Sequence, residues 1–382
     1  MDVWKIGYDA KRIVNNGTGL GSYGRTLINA LIRADQEMEI RLYVPDGGRE
    51  ELRNQVDGSR SIYYCYPKKA HIGLQKVLWR NRGIVKQLKK DGVRLFHGLS
   101  GELPTGLKKA GIPGVVTIHD LIFLRHPEFY HWIDTKIYVT KFRQTCREAE
   151  RIIAISQCTK RDIMTFSNYP EERINVIYQS CNTIFREQMS EEKKTEVREK
   201  YVLPPRYILH VGTIEERKNI LLATKALQLL PEEIHLVIVG RRTKYTDKVH
   251  SFITDHALDR RVMFLHGVPN AALPAIYQMA EAFVYPSCYE GFGLPIVEAI
   301  QSELPVVACT GSCLEEAGGP DCLYVHPDDV QGMAAALERA IYDDAFRKKS
   351  IERSKDYIKR FENMDIARQM IGLYREILLN KP

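Results

Sequence analysis

A chain of 382 residues exceeds what one hydrophobic core comfortably serves, so two domains are expected. Hydrophobic residues make up 44% and charged residues 27%, the balance of an ordinary soluble globular protein. Charge is unevenly shared: residues 1–185 hold 29 Lys and Arg against 19 Asp and Glu, a balance of +10, and the remainder holds 26 against 29, or −3. The basic half suits an anionic partner, whether a phosphate, a nucleic acid or an acidic membrane surface.

The start, MDVWKIGYDA, lacks the basic residues and apolar run of a signal peptide, and no apolar stretch reaches membrane-spanning length. A cytoplasmic protein is expected. The eight cysteines are scattered without a C-x-x-C pair and mostly sit in apolar runs, which favours buried free thiols over disulfides or zinc ligands.

The first strand, VWKIGYD, is followed by KRIVNN and then GTGLGSYG, which contains G-x-G-x-x-G at Gly19, Gly21 and Gly24. Asp46 follows the second strand, EIRLYVP, where a dinucleotide-binding acid could sit. The NAD fingerprint, however, places its first glycine directly after the strand. A flexible turn leading into the helix SYGRTLINALIR is a better reading of these glycines, and a backbone loop with little side chain that approaches a diphosphate and sugar from across a cleft fits best. Strand SIYYCY precedes a basic stretch, residues 68–90, with Ile72, Leu78, Trp79, Ile84 and Leu88 interspersed. It reads either as an attachment to anionic membrane or as a solvated helix over the sheet. Strands RLFHG, GVVTIHD, RIIAIS and INVIYQS complete the first half.

The charged segment SEEKKTEVREKYVLPP places a domain boundary near residue 185. Strands RYILHVG, IHLVIVG, RVMFLHG, AFVYP, PVVAC and CLYV follow, alternating with helices, as in a parallel sheet. Several lack polar alternation, as strands buried on both faces do. Arg217 and Lys218 follow the strand ending at Gly212 and could neutralise a pyrophosphate leaving group. Gly240 with Arg241 or Arg242, and Gly267 with Val268 and Leu273, mark two further strand ends. In YPSCYEGFGLPIVEAI a strand gives way to a glycine turn and a helix beginning near Pro295, a setting for a diphosphate at a helix N-terminus. Glu290 before the helix and Glu298 one turn inside it are natural acceptors for sugar hydroxyls. The C-terminal residues form two helices broken near Asn363, with Tyr357, Ile358 and Phe361, then Ile366, Met370, Leu373 and Ile377, on core faces.

From Arg206 to about Asp328 the chain resembles the second domain of the family 4 retaining glycosyltransferases, and E-G-F-G-L-P-I-V-E at 290–298 is similar to their E-x7-E motif. The resemblance implies the GT-B architecture, two Rossmann-like α/β domains facing across a cleft: residues 1–185 on the acceptor side, 186–362 binding the nucleotide-sugar, and a helix over 363–382 able to pack back on the first domain. It implies that Glu290 contacts the donor sugar and Glu298 the ribose, with Phe292, Gly293 and Leu294 offering backbone to the diphosphate and sugar. Gly240, Arg241, Val268 and Leu273 would line the same donor site. Arg217 and Lys218 match the phosphate-binding cations, and their adjacency in G-T-x-x-x-R-K-N resembles a subgroup that often uses GDP-mannose. Gly17, Gly19 and Gly21 resemble the family's glycine-rich loop, and His119–Asp120 its H-D pair beside the reacting sugar. By itself His119 would more often be a structural strand-end histidine.

The expected activity is thus transfer of a hexose, with retention, to a glycan or lipid-linked acceptor in cell-surface polysaccharide synthesis. The resemblance implies that no dedicated metal and no cofactor take part, and the sequence, which has no D-x-D triplet, is consistent with this. A front-face route needs no enzymic nucleophile, whereas a double displacement would call on Asp120. Peripheral attachment to the inner face of a membrane fits the basic half, and nucleic acid is not expected as a partner. The competing readings are an NAD-dependent oxidoreductase, which leaves Glu290, Glu298, Arg217 and Lys218 unexplained, and a non-catalytic nucleotide-sugar binder.

Overall fold

The computed structural model describes residues 4–58, 61–67 and 73–379. The chain divides into two compact units, one of residues 1–180 with 361–382 and the other of residues 181–360. All thirteen strands read from the sequence are present.

In the first unit, β1 (Lys5–Asp9), β2 (Glu39–Tyr43), β3 (Ile62–Cys65), β4 (Leu95–Gly98), β5 (Gly114–Ile118), β6 (Ala149–Ala154) and β7 (Ile174–Val176) form one sheet in the order β3-β2-β1-β4-β5-β6-β7. Every pairing is parallel. Helices cover both faces, so β4 and β5 are buried throughout, the polar His97 and Thr117 included. On one face Ile6, Tyr8 and Ile40 pack with Leu27 and Leu31 and with Met370 and Tyr374 of the C-terminal helix Asn363–Leu379. On the other face Phe96, Val116 and Ile152 pack with Trp79, Leu88 and Phe142.

The second unit holds β8 (Tyr207–Val211), β9 (His235–Val239), β10 (Val262–Leu265), β11 (Ala282–Tyr285), β12 (Val306–Cys309) and β13 (Leu323–Val325), all parallel, in the order β10-β9-β8-β11-β12-β13. The order reverses between β1 and β4 in one sheet and between β8 and β11 in the other. Open α/β sheets bind ligands at the carboxyl ends of strands at such a reversal.

KRIVN, between β1 and the glycines, forms a single helical turn, Lys11–Asn15. Two local readings change. The next helix starts at Gly19 rather than at Ser22, so Gly19, Gly21 and Gly24 lie in its first two turns and only Gly17 stays in the turn. Close packing is the cause: a Cβ on Gly21 would meet Asn16 O at 1.8 Å, and Arg25 clamps the same turn by donating to Ile13 O at 2.8 Å and Asn16 O at 2.9 Å. In the basic stretch, residues 68–72 lie outside the described residues. The rest is a short helix Leu74–Leu78, a π-helical turn Trp79–Gly83 and a helix Ile84–Lys90, with Trp79, Ile84 and Leu88 buried in the core and Leu78 exposed.

Candidate active site

In the second unit the reversal point is where the proposed chemistry gathers. Strand β8 ends at Val211, and the chain passes into a tight 3₁₀ turn, Glu216–Lys218. Strand β11 lies beside β8 and ends at Tyr285, and its following loop carries Glu290. The two loops are tied by a backbone bond from Cys288 N to Arg217 O at 2.9 Å. Lys218 Nζ pairs with Glu290 Oε1 and donates to Tyr285 Oη at 2.5 Å. Arg217 Nη1 meets Glu290 Oε2 at 2.7 Å and donates to Tyr289 O at 2.8 Å, and its Nη2 pairs with Glu215 at 2.6 Å.

Lys218 and Glu290 are each 8% exposed, so this is a buried ion cluster with every member satisfied. Burial would push the Glu290 carboxyl up, but Lys218 and Arg217 outweigh it and hold it at about 2. Beneath the cluster, burial and the Lys218 ammonium push His210 down to about 3, so its imidazole is neutral. His210 Nε2, Ser287 Oγ and Ser312 Oγ are buried polar atoms with no hydrogen-bond partner within the protein.

Glu298 is set apart from the cations. It lies on the helix Leu294–Gln301 and accepts a bond from Tyr277 Oη at 2.9 Å. Burial pushes its carboxyl up to about 7, with the Tyr277 bond opposing. The carboxyls of the two glutamates of one motif are thus shifted in opposite directions. Gly293 precedes this helix at φ +110°, a conformation open to glycine at little cost. Phe292 is buried, and the Cys313 thiol lies 2.9 Å from Phe292 O and 3.1 Å from Glu290 O, which fixes the turn from behind. Gly240 ends β9 against β8: a Cβ there would lie 1.8 Å from Gly212 O. Arg241 is exposed, Arg242 pairs with Asp247 at 2.6 Å, Val268 is half-buried, and Leu273 opens its helix.

In the first unit His119 and Asp120 sit in the loop just after β5. His119 Nε2–H donates to Leu99 O at 2.8 Å, so Nδ1 is the acceptor and takes a bond from Gln179 Nε2 at 2.6 Å. Tyr23 packs edge-on to the ring at 4.8 Å. Burial, against the Leu99 bond, pushes His119 down to about 4. It is a neutral imidazole with both nitrogens engaged. Asp120 accepts from Ile122 N at 3.3 Å. At this sheet's own reversal point, Arg80 lies between Asp9 and Glu102, at 2.5 Å from each.

Two family models match the chain: Glycosyltransferase Family 4 over residues 17–183 and Glycosyl transferases group 1 over residues 193–357. The chain belongs to the family 4, group 1 glycosyltransferases. It is 29% identical over 373 residues to O-antigen chain mannosyltransferase B of Escherichia coli, covering 94% of this chain and 96% of that protein. It is 29% identical over 263 residues to O-antigen chain mannosyltransferase RfbU of Salmonella typhimurium, covering 67% of each. A sucrose-phosphate synthase from Thermosynechococcus elongatus shares the fold, with a TM-score of 0.81 at 20% identity over 99% of this chain and 100% of that one.

The glycosyltransferase therefore does not use its glycines as a dinucleotide fingerprint. A helical turn separates them from β1, and Asp46 is taken by Lys76 at 2.8 Å, Asn15 at 3.2 Å and Gly48 N at 3.1 Å. Tyr285, Tyr277, His210 and Gln179 were not singled out from the sequence. Tyr285 and His210 stand inside strand patterns, where an aromatic residue reads as core, and Gln179 and Tyr277 reach their partners across more than twenty residues of chain. The arrangement brings Arg217, Lys218 and Glu290 together, with Glu298 on the following helix. Gly17, Gly19, Gly21, His119 and Asp120 belong to the other unit.

Proposed function

We propose that this glycosyltransferase moves mannose from GDP-mannose, with retention, to a lipid-linked or growing glycan of a cell-surface polysaccharide. The observation that carries the reading is the buried Arg217–Lys218–Glu290 cluster at the β8/β11 reversal. The two mannosyltransferases to which the chain is similar support the sugar. As the bond from C1 to the donor phosphate breaks, its electron pair leaves on the diphosphate, and two preformed cations in a dry site stabilise that growing charge. The acceptor hydroxyl bonds to C1 on the same face and gives its proton to the departing phosphate oxygen. Charge stabilisation by Arg217 and Lys218 leaves no step that requires a metal. Glu298 is assigned to the ribose hydroxyls and Glu290 to the sugar. His119, Asp120 and the Gly17–Gly21 segment are assigned to the transferred sugar and its surroundings.

A thermal-shift panel of GDP-, UDP-, ADP- and dTDP-sugars tests the donor. GDP-mannose is expected to stabilise the protein most, and a larger shift with a UDP-sugar overturns the assignment.

The acceptor is placed at an anionic membrane face. No helix among the described residues is long and apolar enough to cross a membrane. Trp79 is no anchor, being buried, and Arg80 is held in ion pairs. Exposed Leu74, Val77 and Leu78, with exposed Arg82, Lys86, Lys89 and Lys90, form the surface that supports this reading. Each basic residue near such a surface contributes about 1 kcal/mol, screened by salt. Co-sedimentation with phosphatidylglycerol vesicles should fall at high salt and in an Arg82/Lys86/Lys89/Lys90→Gln variant. Binding unchanged by both overturns the membrane reading.

A further inference from the structure

Tyr285, the last residue of β11, is 1% exposed, yet its hydroxyl touches Lys218, one of the two cations assigned to the leaving group. It accepts from Lys218 Nζ at 2.5 Å. The Lys218 nitrogen lies 4.7 Å from the centre of the ring, close enough for cation–π attraction. The ring is itself immobilised. His210 stacks on it at 5.6 Å and 17°, Phe283 at 5.8 Å and 20°, and His210 is pinned by its Nδ1–H to Val284 O at 3.1 Å.

This rigidity matters because Lys218 sits on a flexible four-carbon stem, and its ammonium must be aimed when a donor arrives. As the structure stands, Glu290 compensates both Lys218 and Arg217. A donor diphosphate competes for those cations, and a donor sugar competes for the Glu290 carboxylate. An ammonium has three protons. A fixed neutral acceptor that engages one of them leaves the others for phosphate, without adding a charge that would oppose the diphosphate.

We propose that Tyr285 is a positioning residue, holding the Lys218 ammonium on the leaving diphosphate while Glu290 engages the sugar. The proposal rests on the assignment of Lys218 to the leaving group. Removing only the hydroxyl, Tyr285→Phe, keeps the ring and its stacking. It should lower kcat for GDP-mannose about tenfold, the usual consequence of losing one hydrogen bond to a charged group. KM should stay within about twofold, because the bond matters most once charge has built up on the phosphate.

A role confined to packing would add its loss to any other. A positioning role would not, so in a Lys218→Ala background Tyr285→Phe should cost nothing further. Circular dichroism establishes that each variant is folded, and GDP release reads the rate. Near-normal kcat in Tyr285→Phe, with Lys218→Ala strongly impaired, overturns the proposal alone. Losses that multiply in the double variant also overturn it. Near-normal turnover in Lys218→Ala overturns the leaving-group assignment and the proposal together.

Discussion

At the scale of single residues, the two motif glutamates differ in what surrounds them. Glu290 has two cations within reach and stays ionised, so it cannot serve as a proton donor at neutral pH. Lys218→Ala removes one of those cations and also a group acting on transition-state charge. Turnover of GDP-mannose should fall about 10²- to 10³-fold, the range for losing one preorganised stabiliser, with the protein still folded. Steady-state GDP release checks it, and near-normal turnover removes Lys218 from the mechanism. Glu290→Gln should depress transfer while leaving affinity for free GDP nearly intact, whereas Glu298→Gln should weaken GDP itself. Calorimetry with GDP separates the two, and equal losses contradict the assignment.

The pH dependence follows from the opposite shifts. Glu298, raised from 4.5 to about 7, contributes stability that is full below about 4.5 and is lost as pH rises through about 7. Glu290, lowered from 4.5 to about 2, contributes stability that is present above about 4.5 and is lost as pH falls through about 2. Ribose hydroxyls donate to a carboxylate, so GDP should bind the ionised form of Glu298. Affinity for GDP should therefore rise from pH 6 to pH 8 and then level off, and Glu298→Gln should flatten that rise. An identical pH profile in wild type and variant would falsify the role given to Glu298.

At the scale of elements, two glycines of the proposed donor set answer to different constraints. Gly240 is required by packing, since a Cβ would meet the Gly212 carbonyl at 1.8 Å where β9 ends beside β8. Gly240→Ala should cost at least about 2 kcal/mol by forcing that backbone apart. Gly19 opens the 16-residue helix Gly19–Ala34, and a Cβ there would meet nothing within 4 Å. Gly19→Ala should raise stability by roughly 0.5–1 kcal/mol through helix propensity. If the backbone at Gly19 approaches the donor, the same change should lower turnover. Urea unfolding read beside GDP-mannose turnover tests this, and a variant more stable and fully active removes Gly19 from the site. That helix has no acidic residue in its first turn and no side-chain cap, and its Gly21 and Ser22 N–H groups donate to Thr18 O at 2.9 and 3.0 Å.

At the scale of the whole molecule, the chain returns to its first unit after crossing the second. The helix Asn363–Leu379 buries Ile366, Met370, Leu373, Tyr374 and Ile377 in the core that β1 and β2 share with the helix Gly19–Ala34. Tyr374 Oη meets His97 Nδ1 at 2.6 Å, and His97 Nε2 meets Thr117 Oγ1 at 2.9 Å, so the last helix is joined by buried polar bonds to the strand that precedes His119. Tyr374→Phe should cost about 1–3 kcal/mol by leaving His97 with an unpaired buried nitrogen. Truncation after Phe361 should lose the first unit's cooperative unfolding altogether. Calorimetry on both variants is the measurement, and a truncated chain that melts like the full one contradicts the role given to this helix.

Strand number, strand type and the family motif were legible in the sequence because each rests on neighbours along the chain. Runs such as ILHV, which scarcely alternate, mark strands buried on both faces, and E-G-F-G-L-P-I-V-E carries its glycine turn, helix start and two carboxylates within nine residues. Tertiary structure decided the rest. Whether Arg217 faces solvent or Glu290 depends on β8 lying beside β11, a pairing between residues more than seventy positions apart. Whether Trp79 anchors a surface or fills a core depends on the helix and strands beneath it, and here it fills the core. The start of the helix at Gly19 depends on how closely Gly21 passes Asn16. The partners of Lys218 at Tyr285 and of His119 at Gln179 came into view only with the fold. Local pattern records which face a residue prefers, whereas charge state and hydrogen-bond partner are set by what the fold brings against that face.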